Sequence, residues 1–318
     1  MREKLIPSGQ YIVGTVKLDL YDESRPELKF PKGRLIPCQF YFPINKGLHK
    51  TYEKSIEPRG NCKFPLLKSV CFSKPSHLNE IKPGQYPLII LNHGNCISMT
   101  DYTFLTEDLA SHGYIVISIG HQLSTDIDLP NHWNRRSYSK HGRVIDNILY
   151  VFQWVEKHIE DIFKSKINLN KIALIGHSMG GNALLMLTNR ISSMFRPSVD
   201  TLLPRHQPNH KSKECIIFID GEFPPVYNTN IPIFHLLSEE RSEYQEEIGT
   251  RDYLTKEKYN FKYYKGSRHI SFMDHALVLR TIPGTNEKYF NGTDEELLEF
   301  YNSARLDVRS FLSSIDIA

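Results

Sequence analysis

Two patterns of hydrophobic and polar positions divide the chain. In its first 44 residues apolar and polar positions alternate, through Tyr11-Ile12-Val13 and Val16-Lys17-Leu18-Asp19-Leu20, then Leu35-Ile36-Pro37-Cys38-Gln39-Phe40-Tyr41-Phe42. Successive strand side chains point to opposite faces, so a period of two predicts antiparallel strands with one wet face. From about residue 87 short continuous apolar runs replace the alternation. They are Leu88–Leu91, Tyr114–Ile119, Ile172–Ile175, Cys215–Ile219, Ile233–Leu237 and Phe261–Tyr264. Helical patterns fall between them: Val144, Ile148, Val151, Val155 and Ile159 share one face. Thr293-Asp294-Glu295-Glu296 reads as a capping box, opening a helix whose inner stripe is Leu297, Tyr301, Ala304, Val308 and Phe311. Strands alternating with helices predict an α/β fold. Its central sheet is mainly parallel, with antiparallel N-terminal strands and helices on both faces.

Two stretches break the pattern. Residues 45–86 are long for a connection and carry Phe64, Leu66, Leu67, Val70 and Phe72, so they are expected to pack as an insertion or cover beside the site. Residues 195–212, with Pro197, Pro204 and Pro208, form a second irregular segment. No internal repeat or low-complexity tract interrupts the chain, and one domain over 1–318 is the expectation.

The apolar run Ile172–Ile175 leads into Gly176-His177-Ser178-Met179-Gly180 and then the helical Asn182-Ala183-Leu184-Leu185-Met186-Leu187. A G-x-S-x-G between strand and helix forces its serine into a sharp turn with the hydroxyl exposed above the sheet. The flanking glycines make room, and the next backbone N–H can face a developing oxyanion. A serine nucleophile needs a base, and the base an orienting acid. In this arrangement they follow in the order Ser, Asp or Glu, His, at the C-terminal ends of strands. Asp220 ends the run Cys215–Ile219, and His269 follows the last strand in Lys265-Gly266-Ser267-Arg268-His269. Glu239, after Ile233–Leu237, competes with Asp220, which is favoured because it abuts both a strand end and Gly221. His177 reads as a packing residue, His93 as a turn residue, and His206 and His210, with Pro208 between them, as loop residues. The oxyanion donors are expected to be the N–H groups of Met179 and of Asn95 in the loop Asn92-His93-Gly94-Asn95-Cys96. Cys96 reads as a small buried side chain.

Composition narrows the partners rather than the chemistry. With 40 % hydrophobic and 24 % charged residues and a net charge of +3, the 318-residue chain has no basis for binding nucleic acid. Five cysteines without a C-x-x-C pair argue against a disulfide framework or zinc site and for a reducing compartment. The N-terminus has no apolar stretch behind its charges, and no apolar run nears the ~18 residues a span needs. A cytoplasmic location is the expectation, with no metal or organic cofactor. The Lys- and Tyr-rich stretch Lys256–Lys265 reads as an ordinary alternating strand.

Beyond the elbow, several blocks carry a family likeness. They are Pro7-Ser8-Gly9-Gln10-Tyr11-Ile12-Val13-Gly14, the segment Pro83-Gly84-Gln85-Tyr86 through Asn92-His93-Gly94, Asp108-Leu109-Ala110-Ser111-His112-Gly113-Tyr114-Ile115-Val116, and Gly266-Ser267-Arg268-His269 followed by Phe272 and Asp274. In these the chain resembles the plasma-type platelet-activating-factor acetylhydrolase family, calcium-independent phospholipid esterases of the α/β-hydrolase fold. The resemblance implies Ser178, Asp220 and His269 as a triad and Asn95 and Met179 as oxyanion donors. It further implies a lipid ester substrate, peripheral membrane contact, and a lipid-facing surface shaped by residues 45–86. His121-Gln122 departs from the His-Arg that the family tends to carry there. Soluble acyl esters, thioesters or polyester fragments are the alternative substrates, and a catalytically silent interaction module is the alternative of a different class.

Overall fold

The computed structural model describes residues 5–26, 31–44, 54–55, 68–69, 74–75, 77–95, 97–121, 138–194, 213–221, 231–241, 260–280 and 289–318. The alternating N-terminal segment forms β1 (Ile12–Asp22) and β2 (Arg34–Ile44), paired antiparallel from Ile12↔Ile44 to Asp22↔Arg34. The apolar runs become β3 (Tyr86–Asn92), β4 (Ile115–Ile119), β5 (Ile167–His177), β6 (Lys213–Ile219), β7 (Ile233–Ser238) and β8 (Asn260–Tyr264). With a two-residue piece at Lys74–Pro75 they make, among the described residues, one nine-stranded sheet, ordered β8-β7-β6-β5-β3-β4-β2-β1 and then Lys74–Pro75. Strands β3 to β8 are parallel, and β2 joins β4 antiparallel. The mainly parallel sheet with antiparallel N-terminal strands is therefore the one the pattern predicts.

The continuous apolar runs have their cause in the layers above and below. Ile89 and Leu91 of β3 and Ile217 and Ile219 of β6 enter one core, with α1 (Thr103–Ser111), α4 (His275–Leu279) and α5 (Asp294–Ser314). Leu88, Ile90, Ile216 and Phe218 enter the other, with α2 (Tyr138–Lys157) and α3 (Met179–Met194). Thr293 caps α5 as expected, its hydroxyl accepting from Glu296 N while its own N–H donates to the Glu296 carboxylate.

Three expectations need correction. The wet face fails for β2, whose Gln39–Ile44 is buried throughout. It lies between β1 and β4, Tyr41 entering one core while Phe40 and Phe42 enter the other. Ile159 lies beyond α2, which ends at Lys157, and packs against the second core from a turn. Strand β5 begins at Ile167, because a register shift between Pro87 and Leu88 absorbs the half-exposed polar segment before Ile172. Phe64, Leu66, Leu67, Val70, Phe72 and the segment 195–212 lie outside the described residues. The described end of the 45–86 insertion buries Leu78 and Ile81 beside β2.

Register decides where chemistry can gather. Asn92 pairs with Ile119 and Gly176, His177 with Ile219, Ile219 with Leu236, and Ser238 with Tyr264. The C-terminal ends of all six parallel strands thus share one edge, where residues distant in sequence can converge.

Candidate active site

Ser178 follows β5 at φ 51°, and Asp220 follows β6 at φ 46°. Non-glycine residues with positive φ are costly, and such strain concentrates at functional sites. The elbow is held by Ser178 N donating to Ile219 O (3.0 Å) and Asn182 N donating to Ser178 O (2.9 Å). Close packing explains its glycines: a Cβ on Gly176 would lie 2.6 Å from Gly181 N, and one on Gly180 2.4 Å from Asn92 O.

Asp220 is 1 % exposed, and its Oδ2 lies 2.6 Å from His269 Nδ1. Its Oδ1 accepts from Ser238 N at 2.8 Å, and Arg241 Nε stands 4.0 Å away. Burial works against the Asp220 charge. The hydrogen bond and positive field of His269, Arg241 and the Ser238 N–H outweigh it, holding the carboxyl below its usual range. Glu239 is differently employed: its Oε2 accepts from Gly266 N at 2.9 Å and shapes the turn before His269. Glu240 accepts from His269 N at 2.9 Å. The structure brings Asp220, not Glu239, to the imidazole. Among the described residues no hydrogen bond joins Ser178 Oγ to His269; such contacts often close only when substrate binds.

The loop after β3 lies against the elbow, where a Cβ on Gly94 would sit 3.2 Å from Ser178 Cβ and 3.0 Å from His177 Nδ1. His93, expected as a turn residue, is fully buried with both ring nitrogens engaged. Nδ1 lies 2.7 Å from Gly94 O, and since a carbonyl only accepts, Nδ1 carries the proton. Nε2 then accepts from His121 N at 2.9 Å. A trans peptide points its N–H opposite its C=O, so anchoring Gly94 O also sets the direction of the Asn95 N–H. Behind His121, Asn147 Nδ2 donates to His121 Nδ1 (3.2 Å), and Arg34 Nε to Asn147 Oδ1 (3.0 Å). Burial, with His93 and Arg34 adding, holds His121 well below its usual pKa. Asn95 is exposed, and Met179 opens α3, where the first N–H groups have no partner within the helix. Ser178 N, bound to Ile219 O, is not available to an oxyanion.

His177 is buried and packed as expected, and the ring it packs against is that of His269, their centroids 4.7 Å apart. Asp274 caps α1, accepting from Thr103 N at 2.9 Å and Phe104 N at 3.2 Å. Its own N–H donates to Asp101 O at 2.7 Å. No local pattern announces the roles of these partners: His177 stands out only as a neighbour of Ser178, and Asp274 only as part of the block that follows His269. Cys96, His206 and His210 lie outside the described residues, as does Lys256–Tyr259 of the Lys/Tyr stretch. The described remainder forms β8, alternating as expected. No helix among the described residues is long and apolar enough to cross a membrane.

An apolar parallel sheet bearing a serine elbow after β5, an acid after β6 and a histidine after β8, all on one edge, defines the α/β-hydrolase fold, and comparison agrees. A ferulic acid esterase from Streptomyces cinnamoneus superposes with a TM-score of 0.73 at 18 % identity, covering 97 % of this chain and 91 % of that one. A chlorophyllase family model matches residues 43–197, which include Ser178 and the Asn92–Asn95 loop but neither Asp220 nor His269. Chlorophyllase type 0 of Chenopodium album is 28 % identical over 136 residues, 40 % of this chain and 37 % of that protein. Chlorophyllase-1, chloroplastic, of Citrus unshiu is 24 % identical over 149 residues, covering 46 % and 40 %. Platelet-activating factor acetylhydrolase of Canis lupus familiaris is 30 % identical over 156 residues, covering 35 % and 34 %. The matches thus span less than half the length of these curated relatives. The likeness read from sequence reaches the right fold, and the partial sequence matches include chlorophyllases as well as an acetylhydrolase.

Proposed function

We propose that the chain is a serine hydrolase that cleaves carboxylic esters through an acyl-enzyme. The observation carrying this reading is the 2.6 Å Asp220–His269 contact on the sheet edge that bears Ser178 in its left-handed turn. Ser178 Oγ attacks the ester carbonyl as His269 Nε2 takes its proton. Asp220 orients the imidazole and stabilises its charged form. The N–H groups of Asn95 and Met179 receive the oxyanion. His269 then protonates the departing alcohol and draws a proton from the water that splits the acyl-serine.

For the substrate, the sn-2 short or oxidised acyl ester of a phospholipid is supported by the motif blocks and by the acetylhydrolase stretch. A second reading, an ester of the kind handled by the chlorophyllases or a soluble acyl ester, is supported by the family match over 43–197. Ser178→Ala should abolish p-nitrophenyl acetate turnover and fluorophosphonate labelling. A variant as active as the parent overturns the mechanism, and a parent that never labels points to a silent module. A panel of phospholipids differing only at sn-2, with chlorophyll and a feruloyl ester beside them, assigns the substrate: preference for short sn-2 chains supports the first reading. Faster turnover of chlorophyll or of soluble esters replaces it with the second.

A further inference from the structure

His177 and Tyr102 are both buried within the site, and neither belongs to the proposed triad or oxyanion hole. Tyr102 immediately precedes α1. Its hydroxyl accepts from Gly94 N at 3.2 Å and lies 2.9 Å from His177 Nδ1. On the far side of the ring, His177 Nε2 lies 3.1 Å from the backbone carbonyl of His269. The direction of every bond follows from the last one. A carbonyl only accepts, so Nε2 carries the proton and Nδ1 must accept. The Tyr102 hydroxyl therefore donates to Nδ1 and is free to accept from Gly94. This works only with a neutral imidazole, and burial holds His177 neutral, its pKa pushed down to about 3 with the nearby His269 adding.

We propose that Tyr102 and His177 are positioning residues that tie the oxyanion loop to the segment carrying the base. The proposal rests on the hydrolytic reading above. The tie closes into a ring. From His269 the chain runs to Asp274, whose carboxylate binds the N–H groups of Thr103 and Phe104 next to Tyr102, and Tyr102 leads through His177 back to His269. Gly94 hangs on this ring by its N–H and on His93 by its C=O, so the peptides on either side of Gly94, the second leading to Asn95, are each held by one bond. Positioning matters here because a misplacement of about 1 Å can cost on the order of 100-fold in rate. A role confined to filling the core would require neither the shared hydroxyl nor the contact with the His269 backbone.

The test is Tyr102→Phe, which removes one oxygen and keeps the ring. The expected result is a fall in kcat of roughly 10-fold with KM within about twofold. Affinity for an alkyl boronic acid, which forms a tetrahedral oxyanion on the serine, should fall in parallel. His177→Asn, which leaves Tyr102 an acceptor but is too short to reach the His269 carbonyl, should show the same split between kcat and KM. It also serves where Tyr102→Phe does not fold. The double variant should lose less than the product of the two single losses, because both break one connection. Unchanged kcat and boronate affinity in the folded variants, with only the melting temperature lowered, overturn the proposal while leaving the hydrolytic reading intact. Failure of that reading shows separately, as a parent enzyme unlabelled by fluorophosphonate.

Discussion

Replacing Asp220 by Asn tests the proposed triad at its most buried member. The carboxylate makes two directed contacts: Oδ1 accepts from Ser238 N at 2.8 Å and Oδ2 faces His269 Nδ1 at 2.6 Å. An asparagine must keep its single oxygen on Ser238, because its NH2 cannot accept from a backbone N–H. The NH2 then faces His269 Nδ1, which can meet it only as an acceptor, so the ring proton moves to Nε2. That is the nitrogen that must be bare to take the proton from Ser178. The imidazole is in place but in the wrong tautomer, and imidazolium formed during attack loses its counter-charge. An Asp-to-Asn change of this kind costs on the order of 10⁴ in kcat, or about 5 kcal/mol of transition-state stabilisation. Glu239→Gln should behave oppositely. The amide side chain keeps an oxygen for Gly266 N, and the rate should stay within about threefold. The assay is steady-state hydrolysis of p-nitrophenyl acetate near pH 8 by both variants, with circular dichroism confirming the fold. An Asp220→Asn enzyme keeping more than a tenth of the parent rate, or a Glu239→Gln enzyme losing more than Asp220→Asn, refutes the assignment.

Acid should weaken the fold through its buried histidines. Burial pushes both His177 and His235 down to about 3, against about 6.5 in an unfolded chain. A lowered folded pKa favours the native state above pH 6.5, and this contribution is lost as pH falls toward 3. At pH 5 the loss is about 2 kcal/mol for each histidine. His235→Gln should lose about 2 kcal/mol less than the parent between pH 7 and 5 in urea titrations; equal losses would contradict the assignment. Gly180→Ala drives a Cβ to 2.4 Å from Asn92 O and 2.8 Å from His93 O, backbone atoms that have little room to yield. Stability should drop by about 1–3 kcal/mol and kcat by at least about tenfold, since the displaced atoms begin the oxyanion loop. Parent-like kinetics would show that the loop is not held against the elbow.

What could be read from the chain alone was whatever repeats locally. Apolar runs without alternation identified β3 to β7, because residues covered on two faces leave no polar periodicity. Gly176-His177-Ser178-Met179-Gly180 identified the turn, because only small residues fit where Gly176 meets Gly181 and Gly180 meets Asn92. Thr293 and Glu296 likewise announced the start of α5, since a capping box needs only four consecutive residues. Tertiary structure decided the rest. Phe40, Tyr41 and Phe42 look like part of a half-wet hairpin until β2 is taken into the sheet beside β4 and both its faces are covered, Tyr41 by one core and Phe40 and Phe42 by the other. Asp220 and Glu239 are each an acid after a strand, and the sequence favours Asp220 only because it abuts both a strand end and Gly221. Register settles them: Ile219 pairs with Leu236, leaving Asp220 against the imidazole and Glu239 to hold the Gly266 turn. His93 and His177 were legible only as neighbours of site residues, because their partners lie 28, 75 and 92 residues away. A hydrogen bond between such distant groups leaves no mark on either segment's own pattern; only the folded sheet edge brings donor and acceptor together.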